Sequence, residues 1–159
     1  MIPTLADMST QLAAQEAALV FDTFDHGDAW RLGTTMAERA IREDARVIID
    51  IRRPVLVLFR YASPGTTAEN EAWLDRKART ALRFETSTAL LDARFTAEGV
   101  DARNASWFDA QTFAATGGSV PVRVRGVGVV AAVTVSGLTS DADHDFVIDC
   151  LDAYRRAPA

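Results

Sequence analysis

The chain has 159 residues and a formal net charge of −5, with 48% hydrophobic and 25% charged residues. This length corresponds to one domain, which can bury a core without disulfides or metals. The acidic balance argues against a nucleic-acid partner, because nucleic-acid-binding proteins normally carry a basic stripe. Cys150 is the only cysteine, so no intrachain disulfide can form.

The features that report on location favour the cytoplasm. Residues 1–15 carry Asp7 and lack a basic segment, which is unlike a signal peptide. No stretch of the sequence reaches the ~18 apolar residues typical of a membrane span, so we expect no membrane partner. A lone cysteine is typical of a reducing compartment. We therefore expect a cytoplasmic protein.

The first part of the chain predicts two helices with a strand between them. Residues 4–15 indicate a short helix, and the apolar run 18–24 indicates a strand. Apolar residues at helical spacing predict a second helix over 26–44. Gly33 lies within its apolar stripe and lowers helix propensity, which indicates close packing against a sheet.

The middle of the chain predicts a hairpin and a long helix. The β-branched runs 47–51 and 55–61 flank a turn that contains a proline, which favours a hairpin. Thr66, with a glutamate three residues later, has the capping-box pattern and predicts a helix that runs to about Asp92. Residues 93–116 are mixed in character and receive no assignment.

The last part predicts a second hairpin and a final helix. Strands are expected over 120–125 and 127–135, hinged at Gly126, and Ser140 is expected to cap a helix that ends near Arg156. Strands joined by short turns form antiparallel sheets. Because helices and hairpins alternate along the chain, we predict an α/β fold, an α/β/α sandwich with an antiparallel sheet.

One face of the long predicted helix combines apolar and polar residues. Asn70, Trp73 and Lys77 lie three or four positions apart, in line with Ala81 and Phe84. A lysine in an apolar stripe must reach water along its stem or find a partner. Two interpretations of Lys77 are open. In the structural one its ammonium group reaches water or forms an ion pair, and in the functional one it lines a pocket for a carboxylate or phosphate.

A second candidate site lies where the last strand ends. Ser136, Gly137 and Leu138 follow the strand and directly precede the final helix. Backbone N–H groups at the start of a helix suit anions, which favours a binding site here. A tight turn is the simpler interpretation.

The acidic segment 141–145 holds three carboxylates and a histidine. Successive helical residues point about 100° apart, so these side chains cannot all converge on one ion. Acidic residues are also favoured at the start of a helix. We therefore predict no metal site. His144 lies in line with Ile148 and Leu151, which indicates a histidine packed in the core.

No stretch of the sequence carries a recognisable catalytic motif. Residues 126–131 match G-x-G-x-x-A by letters, but a strand rather than a helix follows, which excludes a dinucleotide site. His26, beside Asp25 and Asp28, is either a base oriented by a carboxylate or a capping residue. Cys150 is expected to be a buried structural thiol. We predict no catalytic residues.

Three stretches, in this order and spacing, resemble the haem-degrading-domain family, also called GlcG/HbpS-like. The first is the hairpin with its following helix, which carries Asn70-Glu-Ala-Trp73 and Arg76-Lys77-Ala78. The second is the Gly117-Gly118 pair with Gly126-Val-Gly128, and the third is Val133-Thr-Val-Ser136-Gly137-Leu with Asp143-His144. The resemblance covers about residues 18–155 of a single domain over 1–159, and it is greatest to a largely uncharacterised branch.

The resemblance implies a profilin-like sandwich with a five-stranded antiparallel sheet. It also implies a symmetric homo-oligomer, an octamer or decamer, and some relatives bind haem or iron. This sequence departs from the family at Thr116, where a histidine is expected, and at Val120, where an aromatic residue is expected. The remaining candidates for axial ligands to a haem iron are Met36, His26, His144 and Cys150.

Three hypotheses about function follow from these observations. We favour a non-catalytic homo-oligomeric binding module for a small anionic ligand or haem. Its expected ligand-binding residues are Asn70, Arg76, Lys77, Ser136, Gly137 and His144. One alternative is a structural or adaptor oligomer that acts through protein partners. The other is an enzyme acting on haem or a small acid, with Lys77 holding the substrate and His144 as acid or base.

Overall fold

Five strands form one sheet in the computed structural model, which describes residues 1–158. The strands are β1 (Val20–Phe21), β2 (Ile48–Arg53), β3 (Leu56–Ala62), β4 (Ser119–Val124) and β5 (Gly128–Ser136). The α-helices are α1 (Leu5–Ala17), α2 (His26–Arg42), α3 (Ala68–Phe84), α4 (Thr88–Ala97) and α5 (Ser140–Arg156), and a short 3-10 helix covers Ala102–Asn104. Among the helices of residues 1–158, none has the length and apolar character needed to cross a bilayer.

The sheet is mixed, with the strand order β1-β4-β5-β2-β3. β1 pairs in parallel with β4, where Val20 lies opposite Arg123, and the other pairs are antiparallel. The prediction of a purely antiparallel sheet is therefore wrong at this edge. It treated strands that follow each other in sequence as partners, whereas α2 follows β1 and the strand that pairs with β1 comes much later in the chain.

β1 is also shorter than the predicted strand over 18–24. The chain leaves the sheet because Asp25 and Asp28 form a capping box at the start of α2. The Asp25 carboxylate accepts a hydrogen bond from the Asp28 backbone N–H at 2.8 Å, and the Asp28 carboxylate accepts one from the Asp25 N–H at 2.8 Å. His26 is the first residue of α2, and the carboxylate beside it serves as the helix cap.

The long helix predicted from residue 66 to residue 92 is two helices. Glu85 follows α3 in a left-handed conformation with φ +52°, and the Ser87 hydroxyl then caps α4 by accepting from the Leu90 N–H. The apolar spacing continues through this break, which is why periodicity alone predicted one helix. The cap of α3 is also displaced by one residue, since Thr67 and Asn70 form the capping box. Thr66 instead donates its hydroxyl proton to the Ser63 carbonyl.

α2 and α5 cover one face of the sheet, and α3 packs on β2, β4 and β5. The main apolar core lies on the first face and includes side chains of α2, α5 and the central strands, among them Leu32, Met36, Val133, Val147 and Leu151. Alternate positions of the central strands carry buried polar residues, Asp50, Ser119, Thr134 and Ser136. Because neighbouring strand residues point to opposite faces, these polar side chains lie on the α3 face.

Candidate functional site

Lys77 is buried between α3 and the end of β5, with 2% of its surface exposed. Its ammonium group donates hydrogen bonds to the Val135 carbonyl at 2.7 Å, the Gly117 carbonyl at 3.1 Å and the Asp143 carboxylate at 3.0 Å. An ammonium group has three protons, so all of its donors are in use. The structure therefore places Lys77 in a structural ion pair and leaves it no N–H for a ligand.

Asp143 holds the other side of this ion pair, on the first turn of α5. Its second carboxylate oxygen accepts a hydrogen bond from the Leu138 N–H at 3.0 Å. Burial lowers the pKa of Lys77 and raises the pKa of Asp143, and the attraction between the two groups opposes both shifts. The pair ties α3 to α5 and to the turn after β5.

The glycine pair before β4 makes room for this contact. Gly118 has φ +131°, and a Cβ atom there would lie 2.5 Å from the Lys77 Nζ and 2.5 Å from the Val135 carbonyl oxygen. At Gly117, a Cβ atom would lie 2.4 Å from the Ser140 carbonyl oxygen. The backbone approach that lets Lys77 reach the Gly117 carbonyl therefore requires glycine at both positions.

A cavity of about 380 Å³, the polar cavity, lies above this ion pair. Its walls include Glu69, Asn70, Thr116, Ser136, Gly137 and Ser140, together with Trp73, Lys77, Leu138 and Asp143. Four of the six predicted ligand-binding residues thus line one cavity, namely Asn70, Lys77, Ser136 and Gly137. The first turns of α3 and α5 both face it, because Asn70 belongs to one and Ser140 to the other.

Several hydrogen-bond donors in the polar cavity are free. Ser136 is 3% exposed and lines the cavity, and its hydroxyl, which makes no hydrogen bond within residues 1–158, is not fully buried, since the one unpartnered side-chain atom there that is sealed from solvent is His144 Nδ1. The Asn70 side-chain oxygen accepts from the Thr67 N–H at 2.9 Å, which leaves its amide N–H groups available. The Ser140 hydroxyl accepts from the Gly117 N–H at 2.7 Å and keeps its own proton to donate. Ser140 was predicted as the cap of α5, a role that Thr139 performs.

One carboxylate also lines the polar cavity. Glu69 lies in the first turn of α3, and one of its oxygens accepts a hydrogen bond from the Trp73 indole N–H at 3.0 Å. The charges of Lys77 and Asp143 cancel, so Glu69 leaves the cavity with a formal charge of −1. Any anion bound here is held by helix ends and neutral donors rather than by a free cation.

A larger cavity of about 640 Å³, the aromatic cavity, adjoins the polar cavity. Its walls include Trp73, Phe95, Phe108 and Phe113, and Trp73 and Thr116 line both cavities. The Phe108 ring centroid lies 5.8 Å from that of Phe95 and 5.6 Å from that of Phe113. These rings form a continuous aromatic wall, with Phe95 on α4 and Phe108 and Phe113 on the segment between α4 and β4, all within residues 93–116, which received no assignment from sequence.

Arg76 lies in the aromatic cavity and does not reach the polar cavity as predicted. Its guanidinium group lies 4.1 Å from the centroid of the Trp73 ring and donates to the Ala110 carbonyl at 3.2 Å. Within residues 1–158 no carboxylate pairs with it. Arg76 is thus an oriented cation with free N–H groups beside an aromatic wall.

His144 also lies apart from the polar cavity, contrary to prediction. It lines a third cavity of about 460 Å³, beneath α1, with Gln15, Asp92, Asp141 and Asp145. Its Nε2 lies 2.9 Å from the Gln15 side-chain oxygen, while Nδ1 has no partner within residues 1–158. Burial lowers the pKa of His144. Asp143 and His144 are adjacent on α5 and point in different directions, so only Asp143 reaches Lys77.

The residues around the polar and aromatic cavities do not fit an axially ligated haem. Neither the polar nor the aromatic cavity has a histidine, cysteine, methionine or tyrosine in its walls, within residues 1–158. Met36 is fully buried in the core, and His26 begins α2. Cys150 is buried beside Arg39, and burial raises the pKa of its thiol. Among residues 1–158 no group of three or more His, Cys, Asp or Glu side chains is placed to hold a metal ion.

The chain is an α/β/α sandwich, because helices cover both faces of a five-stranded mixed sheet. Within it, the Gly117-Gly118 pair packs on the buried Lys77. The chain belongs to the family of HbpS-like haem degrading proteins, whose model matches residues 24–152. The resemblance found in the sequence is thereby confirmed.

Individual relatives agree with this assignment. The UPF0303 protein SCO2848 of Streptomyces coelicolor is 43% identical over 152 residues, which is 96% of this chain and 94% of that protein. The crystal structure of the Ybr137w protein superimposes with a TM-score of 0.83 at 29% identity, covering 92% of this chain and 87% of that one. The PduOC:heme complex has a TM-score of 0.70 at 17% identity, covering 86% and 97%, and shares the fold.

Proposed function

We propose that this chain is a non-catalytic binding module for a small anionic ligand held in the polar cavity. The observation that carries the proposal is the Ser136 hydroxyl, which lines the cavity, makes no hydrogen bond within residues 1–158 and keeps some exposed surface. A hydroxyl without a protein partner can donate its proton to an anion bound in the cavity.

The ends of two long helices support an anion as the ligand. α3 and α5 each have 17 residues, and their first turns line the polar cavity. The first N–H groups of a helix have no partner within it, and the helix dipole favours negative charge there. Asn70 and Ser140 add neutral donors, so a small carboxylate or phosphate finds several hydrogen bonds at once.

Within this proposal, Lys77 positions the wall and the free donors bind the ligand. Because its three donors are used by protein groups, Lys77 fixes the Gly117 carbonyl and the end of β5 beside Ser136. Gly137 lets the backbone approach Arg46 closely, since a Cβ atom at position 137 would lie 2.2 Å from the Arg46 carbonyl oxygen. The haem alternative has the family description in its favour, but this chain offers no axial ligand in either cavity.

We also propose that the module forms a homo-oligomer through β3. This strand lies at the edge of the sheet, and Val55 just before it is 98% exposed. Leu56 and Val57 are exposed beside it, as is Trp30 on α2. Exposed apolar edge strands are usually covered in native proteins, and a second copy of the chain provides such cover. We further propose that this oligomer is the octamer or decamer implied by the resemblance, and that the protein is cytoplasmic.

The binding proposal is tested by titrating the protein with acetate and with inorganic phosphate in a calorimeter. Ser136→Ala should weaken binding of the preferred anion about three- to tenfold, since one hydrogen bond contributes roughly 0.5–1.5 kcal/mol. Ser119→Ala is the matched control, because it removes a buried strand hydroxyl that bonds Thr134 outside the cavity. Equal affinity in the wild-type and Ser136→Ala proteins would refute this site.

A further inference from the structure

We propose that the ligand is a flat aromatic compound with one acidic group, and that its ring occupies the aromatic cavity. This inference rests on the proposed function, because the acidic group is the anion that the polar cavity favours. Trp73 and Thr116 line both cavities, so the two spaces meet at these side chains. A ligand with its acid at this junction contacts both sets of residues.

The shape and chemistry of the aromatic cavity favour a planar ring. Its volume of about 640 Å³ lies within the range of about 300–1,000 Å³ that is typical of small-molecule sites. Phe95, Phe108 and Phe113 form one wall in edge-to-face and tilted arrangements, and Trp73 forms another. Aromatic pairs favour offset-stacked and edge-to-face arrangements over a face-to-face sandwich, so a planar ring can pack against these walls in a favourable geometry.

Arg76 provides the charge that such a ligand needs. Its guanidinium is held over Trp73 and by the Ala110 carbonyl, and no carboxylate within residues 1–158 neutralises it. A preorganised guanidinium with free N–H groups binds carboxylates by two parallel hydrogen bonds. Because Arg76 and Trp73 line the aromatic cavity together, the acid is recognised at the end of the ring that faces the junction.

The remaining charges limit the ligand to one acidic group. Arg103 pairs with Asp101, at 3.3 Å between their charged atoms, and its side chain is 87% exposed, so solvent and this carboxylate both weaken its attraction for an acidic group. The carboxylates of Asp92 and Asp101 also line the aromatic cavity. A second acidic group would therefore meet a carboxylate instead of a free cation. A monoacid fits this distribution of charge, whereas a diacid does not.

Three probes separate this inference from the proposed function: 1-naphthoate, acetate and 1-naphthalenemethanol, each titrated into the full-length protein. We expect 1-naphthoate to bind at least about tenfold more tightly than either acetate or the neutral alcohol, since it alone offers both a ring to the aromatic cavity and an acidic group to the junction. Arg76→Gln should then weaken 1-naphthoate about tenfold. Arg79→Gln is the matched control, because Arg79 lies on the same helix and donates to the Thr112 carbonyl without lining the cavity.

Each of the other outcomes contradicts either the aromatic ligand alone or the aromatic ligand together with the proposed function. If acetate binds as tightly as 1-naphthoate and only Ser136→Ala weakens it, the proposed function stands and the aromatic ligand is wrong. If the neutral alcohol binds as tightly as 1-naphthoate and neither Arg76→Gln nor Ser136→Ala matters, the aromatic cavity binds uncharged rings and both proposals fail. If none of these probes binds with a Kd below about 10 mM, the aromatic ligand is wrong, and if inorganic phosphate also fails to bind, the proposed function fails as well. Thermal unfolding of every variant excludes loss of the fold as the cause.

Discussion

The Lys77 ammonium lies 3.0 Å from the Asp143 carboxylate, and both side chains are almost completely buried. Breaking a buried ion pair on one side leaves an uncompensated charge, which typically costs about 3–5 kcal/mol. We therefore expect Lys77→Met alone, and Asp143→Leu alone, each to lower the free energy of unfolding by roughly this amount. Urea denaturation measures the change directly.

The double variant is the informative control for this pair. Lys77→Met with Asp143→Leu removes both charges, so it should be considerably more stable than the two single variants predict by addition. Strict additivity would show that the two charges do not depend on each other. The structure thus changes the expectation for Lys77, because its loss should affect stability before ligand binding.

Much of the fold could be predicted because local patterns and tertiary packing agree. The β2–β3 hairpin and the β4–β5 hairpin follow the predicted β-branched runs. Gly33 was expected to pack closely against the sheet, and a Cβ atom there would lie 2.3 Å from the Phe59 ring. The break at Glu85 could not be predicted, because a left-handed residue that is not glycine or asparagine leaves little signal in the sequence.

The candidate site was predictable only in part, for geometric reasons. Asn70 and Lys77 share a helix face, and Ser136 with Gly137 ends the strand beside it, so local spacing brought these four together. His144 was predicted to join them, but successive helical residues point in different directions, and it is Asp143 that reaches Lys77. The aromatic cavity was missed because residues 93–116 were mixed in character and received no assignment, and their aromatic residues were the only signal.

Protonation of His144 should destabilise the protein. Burial lowers the pKa of His144 below its usual value of 6.5, despite the nearby Asp145, Glu16 and Asp141. At pH values between this lowered pKa and 6.5, His144 binds a proton in the unfolded chain but not in the folded one. The free energy of unfolding therefore falls as the pH falls through this range. We expect wild-type protein to lose more unfolding free energy than His144→Gln between about pH 7 and pH 5. Parallel losses in the two proteins would show that other groups cause the pH dependence.

Neutralising Glu69 should strengthen anion binding in the polar cavity. Its carboxylate lines the cavity and repels an anion, whereas a glutamine keeps an oxygen that accepts the Trp73 indole proton. For Glu69→Gln we expect affinity for the preferred anion to rise about three- to tenfold, because two unit charges about 4 Å apart interact by roughly 1 kcal/mol when water screens them. Glu38→Gln on α2 changes the net charge equally and should have little effect. A decrease in affinity would place the anion elsewhere.

A charge on the exposed edge should disturb the proposed oligomer. Val57 lies on the edge strand β3 and is exposed in the single chain. Val57→Lys should shift the mass measured by light scattering at micromolar concentration towards smaller species, because lysine on an edge opposes strand association. Val127→Lys is the matched control, since Val127 is exposed in the turn between β4 and β5. A wild-type monomer at this concentration would contradict the oligomer.

Haem should bind without the spectrum of an axially ligated iron. The candidate axial ligands Met36, His26, His144 and Cys150 lie outside the polar and aromatic cavities. An absorption titration with haemin is therefore expected to show no sharp, saturable Soret band at one equivalent per chain, and no difference between wild-type and His144→Gln protein. A saturable band that disappears when one of these four residues is replaced would contradict the expectation. Such a result would require a rearrangement of the chain on binding, because Nε2 of His144 is bonded to Gln15, its unpartnered Nδ1 is sealed from solvent, and Met36 is fully buried.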